Sequence, residues 1–90
     1  MPFFNREPYH EYIGEFFKEK PAVREWVDKT LYYDTRDNTF FVVERTEMES
    51  GPRTYNDFSK KTITEQEARE IIASRPDLPE LTEKAARYFH

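Results

Sequence analysis

The stretch YYDTRDNTFFVVERTE, residues 32–47, decides how the rest of the chain must be arranged. Aromatic and β-branched residues on both sides of the polar TRDN run predict two strands joined by a turn. A four-residue loop sets Tyr33 opposite Phe40, and a two-residue loop sets Tyr33 opposite Val42. The sidedness is the same either way, because a shift of two residues preserves the pleat. One face carries Leu31, Tyr33, Phe40, Val42 and Glu44; the other carries Tyr32, Asp34, Phe41, Val43 and Arg45. Neither face is polar. Either the chain covers both, or one is kept bare for a partner.

On the N-terminal side, the spacing predicts helices. Asn5 can cap the first, with Phe4 and Tyr9 as a hydrophobic staple. Tyr9, Tyr12, Ile13, Phe16 and Phe17 then recur at i, i+3, i+4, i+7 and i+8, one apolar stripe at helical period, with Gly14 inside it. Pro21 ends that helix and suits the first position of a second, short one carrying Ala22, Val23, Trp26 and Val27 on one face.

On the C-terminal side, SGPR at residues 50–53 is a second turn, and TYNDF at residues 54–58 returns as a third strand with Tyr55 or Phe58 inward. Thr64 and Glu67 form a capping box, with Ile63 and Ala68 as its staple. The helix they begin turns Ala68, Ile71 and Ile72 inward and stops at Pro76. Asp77 with Glu80 suggests another box, followed by the inward stripe Leu81, Ala85, Tyr88 and Phe89. The expected fold is α+β in a single domain over residues 1–90. It comprises two N-terminal helices, a central antiparallel β-hairpin or three-stranded meander, and two C-terminal helices.

The 90 residues hold 8 Phe, 6 Tyr and 1 Trp but only eleven Leu, Ile and Val. A core built from this chain must therefore use most of its rings. With no cysteine there is no disulfide framework and no cysteine-type zinc site. No run is long enough for a membrane span, and MPFFNREPYHEY lacks the pattern of a secretory signal, so a cytoplasmic location is expected. The net charge of −4 disfavours non-specific phosphate binding.

Motifs for chemistry are sparse. Ser50, Ser59 and Ser74 lie in no nucleophile elbow. His10 and His90 have no cysteine or second well-placed histidine beside them, and two glycines cannot build a phosphate loop. Asp34 and Asp37 read as turn residues that bond their own backbone rather than as the start of a calcium loop. Glu44, Glu47 and Glu49 read as a wet strand edge. No catalytic residue, cofactor or metal is expected.

Two function classes follow. The first is a non-catalytic protein-interaction module: a regulator, inhibitor, adaptor or assembly subunit. It would bind another protein, or itself as a homodimer, through an aromatic hairpin face of Tyr32, Phe41 and Val43, with Arg45 at the rim and Tyr55 nearby. The alternative is a nucleic-acid-associated protein using the basic and aromatic loop 53–61, with Arg53, Lys60 and Lys61 on phosphates. No predicted helix has a basic face, so nucleic acid is the less favoured partner.

Overall fold

A computed structural model describes residues 4–89; Phe3 and His90 lie outside them. Four strands run in sequence order across one antiparallel sheet: β1 (His10–Ala22), β2 (Glu25–Asp34), β3 (Thr39–Ser50) and β4 (Arg53–Ile63). Two short helices follow, α1 (Glu65–Ala73) and α2 (Pro79–Ala85), and a single 3₁₀ turn (Ala86–Tyr88).

The two N-terminal helices expected from sequence are absent; β1 and β2 occupy their place. The reason lies in the pairing of β1 with β2. Tyr12 pairs with Tyr32 and Gly14 with Leu31, then Glu15 pairs with Thr30 and Phe17 with Lys29. Ile13 and Phe16 are extra residues, each sharing one partner with its neighbour, as in a β-bulge. Two such insertions stretch an alternation of two into a spacing of three and four. The stripe that resembles a helix is a strand bulged twice. Past Pro21, the two-residue turn at Val23 and Arg24 pairs Ala22 with Glu25, so the second helix becomes the start of β2.

The central hairpin has the four-residue loop, with Tyr33 opposite Phe40 and Tyr32 opposite Phe41. Asp34 shapes the turn: its Oδ1 accepts from the backbone N–H groups of Arg36 at 2.9 Å and Asp37 at 3.1 Å. Asn38 closes the turn at φ 55°, a region that asparagine tolerates. Gly51, at φ +60°, makes the two-residue turn into β4 possible. From Ser50–Arg53 to Phe40–Ile63 the β3–β4 register is unbroken. The run 53–61 is thus a strand and not a loop. A pre-formed partner strand and its turn override the weak strand preference of Asn56 and Asp57.

Thr64 caps α1 with a complete capping box: its Oγ1 accepts from the Glu67 N–H, and Glu67 Oε1 accepts from the Thr64 N–H, both at 3.1 Å. The second expected box does not form. Leu78 stands at the N-cap of α2, and Asp77 instead receives the guanidinium of Arg75 at 2.8 and 3.0 Å. A third guanidinium nitrogen of Arg75 donates to the carbonyl of Phe16, tying the α1–α2 linker to the bulge in β1.

The helices cover one face at one end of the sheet. Ile13, Leu31, Tyr33, Phe40 and Ile63 meet Ala68, Ile72, Leu81 and Ala85 in a single buried cluster, with Tyr88 and Phe89 packed against it. Gly14 lets α2 approach β1, since a Cβ there would collide with Leu81.

Candidate interaction surface

The second face of the hairpin is covered too, but not by a helix. The arm at residues 4–9 folds over it. Phe4 packs on Tyr32, Phe41 and His10 with ring centroids 5.2, 6.1 and 5.7 Å away. Tyr9 holds the arm to the turn: its carbonyl accepts from both the N–H and the hydroxyl of Thr35, and Arg36 lies 4.1 Å over its ring. Lys60 closes the far side, its Nζ 4.4 Å from the Phe41 ring.

This settles where the five sequence-predicted contact residues lie. Phe41 and Val43 are 0 % and 5 % exposed, and Phe4 of the arm packs on the Phe41 ring. Tyr32 is half-buried and stacked on Phe41, 5.2 Å between centroids. Arg45 lies further along the same face, bound to Asp28 Oδ2 by two nitrogens at 2.7 and 2.9 Å. Tyr55 alone is broadly open, 49 % exposed, and it sits on the opposite, helix-bearing face. The five do not form one surface. The sequence reading missed the cover because the arm looked like the cap of a helix.

Under the arm sits a buried pair, His10 and Asp34. The backbone N–H of Glu7 donates to His10 Nδ1 at 3.1 Å, which leaves the ring proton on Nε2. Nε2 faces Asp34 Oδ2 at 3.8 Å and lacks a hydrogen-bond partner. Burial, and then the nearby Lys60 charge, push the imidazole below its ordinary pKa, with Asp34 pulling the other way. Burial works against the Asp34 charge, but the N–H groups of Asp37 and Arg36 outweigh it and hold the carboxyl below its ordinary value. Both side chains are buried, and His10 ties down the arm through the Glu7 N–H on its Nδ1 and the Arg6 guanidinium on its carbonyl.

The open surface lies at the other end of the sheet. Twelve residues of β3 rise about 40 Å, whereas nine residues of α1 rise only about 14 Å. The helices are too short for the strands. Along β1 beyond Gly14, β3 from Glu44 and β4 up to Thr62, no residue is buried. Met48 and Val23 are 51 % and 82 % exposed there. Where α1 ends its cover, an open groove of about 550 Å³ runs between the helix and the sheet. Phe16, Val42, Ile63 and Ile71 give it an apolar floor; Lys29, Glu44, Lys61, Glu67 and Glu70 give it a charged rim. Lys29 is held at the mouth, 3.7 Å from Glu44 and 4.8 Å over the Phe17 ring. The Thr64 backbone and hydroxyl hold the Glu67 carboxyl on this rim below its ordinary pKa. On the same face the sheet continues past Thr46 to Met48 and Tyr55.

The sequence carried a signal for this groove. Val42, Glu44, Thr46 and Met48 continue the covered face of the hairpin well past any length that a helix of nine residues can span.

Other chemistry finds little support in the geometry. The basic residues named for nucleic acid do not gather, since Arg53 and Lys61 stand on the helix-bearing face and Lys60 on the other. Among the described residues no three His, Cys, Asp or Glu side chains are grouped as metal ligands would be. No helix among them is long and apolar enough to cross a membrane. No protein-family model, curated protein or solved structure matches this chain.

Proposed function

We propose that this chain is a non-catalytic interaction module that holds a segment of another protein against the uncovered half of its sheet. The reading rests on one observation: the apolar-floored, charge-rimmed groove beside α1, which runs on toward exposed Met48 and Tyr55. A sheet face that ends its helical layer early offers a partner helix or loop a ready-made place in that layer. Apolar contacts on Val42 and Ile71 would carry affinity, and Lys29, Lys61 and the three glutamates would set orientation. The buried state of Phe41 and Val43 moves the contact surface from the hairpin's far face to this one; Tyr55 is the member of the original set that it keeps. The same reading assigns the protein to the cytoplasm.

Site-specific photo-crosslinking tests this. A crosslinker at position 48 should capture a defined partner in the native host, and one at position 36, on the arm-covered end, should not. The variant Val42→Lys, which charges the groove floor, should abolish capture while leaving the circular dichroism spectrum unchanged. Equal capture from both ends of the sheet, or capture indifferent to Val42→Lys, would refute the assignment.

A further inference from the structure

The two edges of the sheet differ in kind. β1 breaks its ladder at three points and carries Pro21 near its end, features that stop another strand from pairing. β4 runs for 11 residues without bulge, glycine or proline. Its two-residue turn makes Ser50 and Arg53 a hydrogen-bonded pair, so Tyr55, Asp57, Ser59, Lys61 and Ile63 direct their backbone groups to β3. Thr54, Asn56, Phe58, Lys60 and Thr62 direct theirs outward, on the last strand of the sheet.

The geometry points to a second copy of this chain as the occupant of that edge, paired antiparallel with β4 in the register centred on Ser59. A two-fold axis through Ser59, perpendicular to the sheet, sets Asp57 of each copy against Lys61 of the other. Tyr55 then meets Ile63 on the helix side, and Phe58 meets Lys60 on the other. About eight main-chain hydrogen bonds would join the copies, because outward-facing residues meet only outward-facing residues. The neighbouring registers are poorer. Centring on Asp57 opposes Asp57 to itself and Arg53 to Lys61; centring on Lys60 opposes Lys60 to itself; centring on Phe58 forms no ion pair.

Lysines on an edge ordinarily repel a second strand. Here Lys60 is folded back over Phe41, and neither Asp57 nor Lys61 belongs to an ion pair formed among the described residues. The edge therefore carries an acid and a base on one face, spaced so that a copy of itself sets each Asp57 against a Lys61. The product is a continuous eight-stranded sheet with both grooves on one face. It does not depend on a foreign partner.

Sedimentation equilibrium at sub-millimolar protein tests the pairing on four proteins: the natural chain, Asp57→Lys, Lys61→Asp and the double exchange. The natural chain should sediment at twice its 11.0 kDa mass. Each single variant turns two attractive cross-strand pairs into two repulsive ones and should weaken the dimer about tenfold. The double exchange restores both pairs and should recover most of the loss. A monomeric natural chain would leave the edge to a foreign strand and overturn the inference. So would a dimer that ignores the single reversals, or one that the double exchange fails to rescue.

Discussion

Replacing Phe41 by alanine removes a ring that sits at the centre of the arm-covered face. Phe41 is 0 % exposed. It stacks on Tyr32 with planes 7° apart, and it meets His10 edge-on at 4.9 Å. Phenylalanine-to-alanine changes in a core cost about 3–5 kcal/mol. The cover above this ring is one segment rather than a packed layer, and Phe4 is itself half-buried, so the arm can settle into part of the space. The expected loss is therefore at the low end, about 3 kcal/mol. For a chain of this size that corresponds to a fall of roughly 12–24 °C in Tm. Urea denaturation of Phe41→Ala should give this loss with little change in m-value. Tyr55→Ala, at an exposed position, should stay within about 0.5 kcal/mol. A loss below about 1 kcal/mol for Phe41→Ala would mean that the arm does not seal this face. The hairpin's second face would then be the available contact surface after all.

Gly14→Ala should destabilise by about 1–2 kcal/mol, because the added methyl meets Leu81, which is 1 % exposed and has nowhere to go. The same change made together with Leu81→Ala should be neutral or favourable, and a double-mutant cycle showing no coupling would contradict the packing of α2 on β1. Stability should also fall as pH drops below about 6.5, the ordinary histidine value. The folded state holds the His10 imidazole below that value, so the unfolded chain takes up the proton first. His10→Asn keeps an acceptor for the Glu7 N–H and should flatten the profile of Tm between pH 7 and 5, where the depressed carboxyls do not yet titrate; an unchanged profile would rule out this linkage.

The central hairpin was legible because its information is local and redundant. Tyr32, Tyr33 and Phe40 to Val43 are aromatic or β-branched, Asp34 and Asn38 are turn residues, and the two-residue and four-residue loops give the same sidedness. The start of α1 was legible for the same reason: Thr64 and Glu67 satisfy each other's backbone groups whatever surrounds them. The N-terminal third failed on a single ambiguity. Tyr12, Ile13, Phe16 and Phe17 fit a helical stripe and a twice-bulged strand equally well, and periodicity alone does not separate them. What separates them is pairing with β2, a contact made 12 to 20 residues away in the chain. Gly14 and Pro21 were the local warnings, since both are poor in a helix interior and both suit a bulged edge strand.

That error carried over to the surface. A helical pair at the N-terminus, together with the pair at the C-terminus, would have supplied one layer for each face of the hairpin. Two extra strands instead lengthen the sheet while adding no cover, so the open area moves from one face of the hairpin to the half of the sheet that the short helices cannot reach. The aromatic surplus is then divided: Phe4, Tyr32 and Phe41 close one face, Tyr33, Phe40, Tyr88 and Phe89 close the other with Phe16 packed against the same cluster, and Phe17 and Tyr55 are left along the uncovered half. Those last rings do not stabilise a sealed core, yet a chain of 90 residues with so few aliphatics can ill spare them from one. A partner segment laid on that face, as proposed above, would complete the layer and bury them; a second copy paired along β4 would extend the sheet and leave them open.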